Sequence, residues 1–309
     1  MRQPSSLDSV NTIRTFWYGS QLSVYELLCL SSFTNKGHEV ELYSYEDLNV
    51  PAGVRLCDAN EIIDRGELFF YTTGHARGGI NAFSDLFRYA LLYLRGGTWV
   101  DTDVLCLRSF STLPINCVGF ESENYVAIGV MKFEKEDPIC QALYEKAKAF
   151  DKQQITWSEI GPDLLTNIVK NNSRCHILPP CAFYPIPWFN AWKLIDPSRR
   201  EECERVTESS FCVHWWNDIF RQVGLPKQAL PPKGSYLYQQ AKINIDCTGF
   251  DAWPEPLVAI WVKNYRNSQL LSHPDLNRPV TTLLKTHPRA IIKDVLSILG
   301  AVGRRVKNV

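Results

Sequence analysis

The chain has 309 residues, 45% hydrophobic and 21% charged, with 33 Lys and Arg balanced by 33 Asp and Glu. That length holds one large domain or two ordinary ones, and the composition excludes a disordered, collagen-like or fibrous chain. The zero charge balance argues against a protein built to grip a nucleic-acid backbone, so no nucleic-acid partner is expected. Ten cysteines are scattered without a C-x-x-C pair, which leaves neither a zinc ribbon nor a thioredoxin motif and fits a reduced, cytoplasmic chain. The first residues show no apolar signal core, and no apolar run reaches the roughly 18 residues of a spanning helix.

In chain order, residues 13–18 are β-rich and end at Gly19, residues 22–33 carry apolar side chains at helical spacing and stop at Asn35-Lys36-Gly37, and residues 40–45 return to β character. This reads as a β-α-β unit. A short strand at 53–57 and a short helix at 59–64 follow. Alternation of this kind predicts a parallel sheet with helices on its faces. The clearest helix runs from about 82 to 94, with Asn81 as expected N-cap and Gly96-Gly97 as its stop. Apolar runs at 98–101 and 104–107 come next, interrupted by acids, then strands at 118–120 and 126–133 and helices over 138–150 and 162–170. Beyond Asn171 the chain is rich in Pro and Trp and reads as loops and short elements around a site.

Asp101-Thr102-Asp103 is the only D-x-D in the chain. Two acids at the carboxyl edge of a sheet leave charge in an unfavourable place unless a cation or hydrogen-bonding ligand is there. Hard oxygen ligands favour Mg²⁺ or Mn²⁺, which beside few protein ligands commonly hold a diphosphate. A turn with solvated acids is the plain alternative. Asp85 and Arg88 lie three apart on the preceding helix, hence on one face. Their neighbours Ala82, Phe83, Leu86, Phe87, Tyr89, Ala90 and Leu91 leave almost no polar face, so the pair is expected to be partly buried, and buried charges need a partner or a role.

The run N-A-F-S-D-L-F-R-Y-A-L-L-Y-L-R-G-G-T-W-V-D-T-D-V at 81–104 closely resembles the glycosyltransferase sugar-binding region that contains the D-x-D motif, found in family 32 glycosyltransferases and in glucosylating clostridial toxins. The likeness extends to F-W-Y-G at 16–19, G-P-D-L-L-T at 161–166, F-Y-P-I at 183–186 and V-H-W-W-N at 213–217. It implies a GT-A-like α/β domain with a mostly parallel central sheet and added helices over residues 1–222, and a C-terminal extension of loops and helices over 223–309. The resemblance also implies roles. Trp17 stacks on the nucleobase, Asp85 and Arg88 grip the donor sugar and its phosphate, and Asn81 and Ser84 join them on the donor side. Asp101 faces the ribose and the metal, Asp103 coordinates Mn²⁺ or Mg²⁺ directly, His214 occupies a metal-ligand position, and the Trp216 indole donates to the β-phosphate. Asp85, Arg88, Asp101 and Asp103 form the expected catalytic group. The toxins carry a hydroxyl residue where this chain has His214, and a structural histidine is the alternative there.

The function so implied is metal-dependent, retaining transfer of a hexose from a nucleotide sugar, with UDP favoured, to a carbohydrate or lipid-linked glycan. Glu121 and Asp163 are spare acids without an assigned place. Two other readings stay open. One is a non-catalytic sugar-nucleotide or glycan-binding protein. The other is a haloacid-dehalogenase-type phosphatase, whose motif also follows an apolar strand but normally opens near the N-terminus and needs a later Asp-Asp pair that this chain lacks. At the far end, residues 285–309 hold Lys285, Arg289, Lys293, Arg304, Arg305 and Lys307 against Asp294 alone. An apolar stripe of Ile291, Ile292, Val295, Leu296, Ile298 and Leu299 runs through them at helical spacing. The expectation is either a helix packed on the core or a peripheral contact with an anionic membrane.

Overall fold

The computed structural model describes residues 11–72, 74, 76–222 and 227–272. Strand β1 (Ile13–Trp17) leads into helix α1 (Val24–Thr34), and β2 (Val40–Ser44) and β3 (Val54–Asp58) complete the first β-α-β stretch. Helix α1 begins at a reciprocal cap: Ser23 accepts from the backbone of the first turn, while the Glu26 carboxylate accepts from the Ser23 N–H at 2.8 Å. Both satisfy donors that a helix start leaves open.

Helix α2 (Asn81–Arg95) is next, with β4 (Gly97–Val100) immediately behind it. The expected N-cap is corrected here: Ile80 stands at that position without a side-chain cap, and Asn81 is already helical. The turn from Tyr71 to Gly79, closed by Gly78 N–H to the Tyr71 carbonyl at 2.8 Å, delivers Ile80 at φ −97°, ψ 2°. The helix therefore starts one residue early. At its other end Gly96 has φ 66°, and a Cβ there would lie 2.5 Å from the Lys135 backbone nitrogen. Only glycine reverses the chain so tightly into β4.

Strands β5 (Val104–Cys106), β6 (Cys117–Ser122) and β7 (Tyr125–Phe133) follow, then α3 (Pro138–Ala149), α4 (Pro162–Val169), β8 (His176–Leu178), α5 (Pro180–Phe183), α6 (Arg200–Thr207), β9 (Cys212–His214), α7 (Asn217–Gln222), α8 (Tyr236–Asn244) and α9 (Glu255–Ser272). The main sheet has the order β3-β2-β1-β4-β7-β6-β8. Its pairings are parallel except where β7 meets β4 and β6, so the mostly parallel GT-A-like α/β architecture is what the chain forms. Because β7 alone runs backwards between β4 and β6, the carboxyl ends of β1, β4 and β6 share one sheet edge. Strand β5 turns away from that sheet and pairs antiparallel with β9. The stretch beyond Asn171 holds more helix than its composition suggests.

Alternation along the strands divides the core. Phe16 and Tyr43 face a cluster with α2, α3 and α4, where Phe16 stacks on Phe87 at 4.4 Å. Ile13, Val40 and Leu42 face the opposite cluster with α1, β5 and β9. Two apolar faces on one sheet are the consequence of helices on both sides.

The chain divides into a compact unit reaching Val258 and a second beginning at Ala259, within α9. In the first, Leu230 bridges Ala252; in the second, Trp261 stacks on Tyr265. The basic stretch at 285–309 lies outside the described residues. Among those described, no helix is long and apolar enough to cross a membrane.

Candidate active site

The site forms at the shared carboxyl edge. Asp101 continues the ladder just past β4, its N–H donating to the Gly129 carbonyl at 2.9 Å. Asp103 lies two residues on, in the turn just ahead of β5. Pairing of Val104 with His214 then brings the end of β9 beside it. Asp103 Oδ1 and His214 Nε2 are 2.9 Å apart, and Asp103 Oδ2 accepts the Asn217 N–H at 2.8 Å.

Each of Asp101, Asp103 and His214 offers one ligand atom, and these atoms lie within 4.8 Å of one another. The two carboxylates suit Mn²⁺ or Mg²⁺, and the imidazole favours Mn²⁺ of the two. One further feature fits a cation. Gly129 forms one wall, and a Cβ there would lie 3.3 Å from Asp101 Oδ2 and 3.7 Å from His214 Nε2. The missing side chain leaves room that alanine would fill.

Electrostatics follow from burial and pairing. Burial alone would push the Asp103 carboxyl up, yet the His214 charge and hydrogen bond, with the Asn217 N–H, hold it below its ordinary range. His214 is the mirror case, pushed down by burial and raised on balance by Asp103. Asp85 is different. Burial raises it to about 7, Arg88 pulling it down and Asp101 pushing it further up.

Arg88 is buried and turned toward protein oxygens. Its Nη1 donates to the Ile128 carbonyl at 2.7 Å and meets Asp101 Oδ1 at 3.0 Å, while Nη2 meets Asp85 Oδ1 at 2.9 Å. The guanidinium lies 4.8 Å from the centre of the Trp99 ring, whose N–H donates to Asp101 at 2.8 Å. In this geometry Arg88 orients the two acids. Ser84 lies within 3.4 Å of Arg88 Nη2, and Asn81 is exposed at the start of α2. The Ile128 carbonyl is available because β6 and β7 slip register between Val118 and Gly119. Such a bulge re-aims groups that a regular ladder would consume.

Trp17 ends β1 half-buried, its indole N–H donating to the Gln21 carbonyl at 3.1 Å. Trp216 has φ 60°, a left-handed conformation unusual for a bulky residue. Its ring centre lies 4.2 Å from that of His214, and its N–H donates to the Ile186 carbonyl at 2.8 Å. Of the spare acids, Asp163 accepts from the Tyr125 hydroxyl at 2.9 Å and from Ser158. Glu121 sits in a second register shift at the end of β6, raised by burial and pulled down by His214.

Two further contributors, Tyr184 and Gly161, lie in motifs quoted from the sequence, F-Y-P-I and G-P-D-L-L-T, that gave neither of them a role. Tyr184 accepts the Val130 N–H at 3.0 Å and packs its ring at 5.9 Å from both His214 and Trp216. Gly161 opens α4 against Asp85, where a Cβ would fall 2.6 Å from Oδ2.

Residues 23–120 match the family described as the glycosyltransferase sugar-binding region containing DXD motif. Residues 132–230 match the alpha 1,4-glycosyltransferase conserved region. Over these two stretches the chain resembles the DXD-containing glycosyltransferases. It is 32% identical over 146 residues to lactosylceramide 4-alpha-galactosyltransferase of Rattus norvegicus, covering 43% of this chain and 40% of that protein. It is 24% identical over 160 residues to alpha-1,4-N-acetylglucosaminyltransferase of Homo sapiens, covering 46% and 44%. The chain thus spans less than half the length of these two relatives. Among solved structures, the PaToxG glycosyltransferase aligns over 77% of this chain and 91% of its own, with a TM-score of 0.40 and 13% identity.

Proposed function

We propose that this glycosyltransferase chain moves a hexose from a UDP-sugar to a hydroxyl of a glycan or lipid-linked saccharide, with a divalent cation held by Asp101, Asp103 and His214. The carrying observation is the approach of one ligand atom from each of those side chains, two from the turn between β4 and β5 and one from β9, to within 4.8 Å of one another. The galactosyl and N-acetylglucosaminyl relatives support hexose transfer and make UDP-galactose the first donor to try.

Transfer builds positive charge at the anomeric carbon and negative charge on the departing diphosphate. Mn²⁺ or Mg²⁺, when bound, supplies charge to offset the second. The chain's own residues do the positioning. Arg88 holds the Asp85 and Asp101 carboxyls in fixed orientation, and Asp85, raised to about 7, can donate or accept a hydrogen bond at a sugar hydroxyl near neutral pH. Trp17 offers an aromatic face to the base. In the retaining course, the acceptor oxygen bonds to the anomeric carbon on the face that the diphosphate leaves. The anomeric carbon to phosphate-oxygen bond breaks, and the hydroxyl proton passes to the departing diphosphate. Contact of the basic end at 285–309 with an anionic membrane belongs to the same reading, supported by its charge pattern.

The test is UDP release and product formation by the full chain with UDP-galactose, MnCl₂ and a lactose-terminated acceptor. Acceptor-dependent turnover that EDTA stops is expected. Donor binding without turnover on any acceptor would leave a binding protein, and turnover indifferent to EDTA would remove the metal from the reading.

A further inference from the structure

A donor diphosphate needs cationic or hydrogen-bond-donating partners, and both side chains that the family resemblance offers for it, Arg88 and Trp216, are engaged with the protein. Arg88 is committed to Asp85, Asp101 and the Ile128 carbonyl. The Trp216 N–H is committed to the Ile186 carbonyl. Another cation stands close by. Lys227 Nζ lies 5.4 Å from the centre of the Trp17 ring and 6.0 Å from that of Trp215. Trp215 follows His214 directly, and its backbone N–H donates to the Asp103 carbonyl at 3.1 Å. Lys227 thus stands beside Trp17 and Trp215, and its charge is felt at Asp103, so a diphosphate running from a base on Trp17 toward Asp103 would pass near it.

Its anchor is also unusual. Lys227 pairs with Glu26, whose side chain is fully buried while that of Lys227 stays 20% exposed. Glu26 already holds the Ser23 N–H with its other oxygen, so the carboxylate ties the lysine to the start of α1. A buried carboxylate without its cation is strongly unfavourable, which keeps the ammonium in place. An ammonium has three donors, and Glu26 accounts for one.

We infer that Lys227, held by Glu26, is a ligand of the donor diphosphate. The inference rests on the nucleotide-sugar reading above and deepens it. It also gives the stretch beyond residue 222 a part in the site, since Lys227 comes from there.

Calorimetry with UDP and with uridine, in MnCl₂, separates a phosphate contact from general damage. Lys227→Met should weaken UDP at least about tenfold, as loss of a charge-assisted contact does, while uridine, which stacks on Trp17 but has no phosphate, keeps its affinity. Removing the lysine alone leaves Glu26 buried and uncompensated, so the Glu26→Gln, Lys227→Met double variant keeps the test valid if the single one fails to fold. It should show the same selective loss. UDP affinity at the wild-type level in the double variant, or an equal loss for uridine and UDP, would overturn the assignment. A wild-type chain that binds neither UDP nor GDP removes the nucleotide-sugar reading and this inference with it, whereas wild-type binding with unaffected variants removes the inference alone.

Discussion

Asp103 and His214 are 111 residues apart in the chain and 2.9 Å apart in space, carboxylate oxygen to imidazole Nε2. The pair has a pH signature in the metal-free protein. His214 is raised above its ordinary 6.5, so its contribution is full below 6.5 and is lost as pH rises through the raised value. Asp103 is lowered below its ordinary 3.8, so its contribution is present above 3.8 and is lost as pH falls through the lowered value. The window of greatest effect lies between. Thermal melts of wild type and His214→Gln in EDTA should differ more at about pH 5.5 than at about pH 9. A gap that does not change with pH would mean that the two side chains are not ionically coupled.

Asp103 also supports local structure, since it accepts the Asn217 N–H at 2.8 Å. A sequence argument would treat it as an edge acid that can be removed without effect on folding. Asp103→Ala instead leaves two groups unpartnered and should lower stability by about 1–3 kcal/mol. Asp103→Asn keeps an acceptor and is the better probe of chemistry. Its transfer rate should fall at least about a hundredfold. Retention of more than about a tenth of the activity corresponds to under about 1.4 kcal/mol of transition-state stabilisation, too little for a direct metal ligand.

Arg88 joins Asp85 and Asp101 in a buried network, so its loss is first a stability defect. Arg88→Ala should destabilise the fold by about 3–5 kcal/mol in urea unfolding. A variant as stable as wild type but unable to bind UDP would return Arg88 to a direct phosphate role.

Gly129→Ala places a methyl 3.3 Å from Asp101 Oδ2 and 3.4 Å from the Tyr184 hydroxyl, a tight contact that a small shift can absorb. The fold should keep a melting temperature close to wild type while Mn²⁺ affinity and transfer decline together. Unchanged Mn²⁺ binding by calorimetry would show that the cradle is not where the cation sits.

Trp17 is half-buried at a strand end, its N–H held by Gln21. Trp17→Ala should weaken UDP by about 1–3 kcal/mol, the scale of base stacking, with little change in unfolding midpoint. A large drop in midpoint with UDP affinity intact would make it a core residue.

Much of the fold was legible because local signals there agree with one another. In residues 81–104 a helical apolar stripe, a Gly-Gly stop and an apolar strand follow without a gap, and each became the expected element within a residue or two. Asp85 and Arg88 were expected on one helix face, partly buried, and both are buried. The helix start was misplaced by one residue because the turn that delivers Ile80 depends on Tyr71 and Gly79, which pair across a loop.

The order of residues by itself determined the helix that carries Asp85 and Arg88, the strand that runs into Asp101 and Asp103, and the α/β alternation, because each depends on side chains within a few turns of one another. Tertiary structure alone decided which groups meet. Reversal of β7 puts β6 beside the site, the β5–β9 pair carries His214 to Asp103, and a register slip opens the Ile128 carbonyl to Arg88. Lys227 lies over Trp17 while paired with Glu26. The Arg88–Ile128, Asp103–His214 and Glu26–Lys227 contacts join residues 40, 111 and 201 positions apart, and their partners are chosen by sheet pairing and burial across the whole unit rather than by any local pattern.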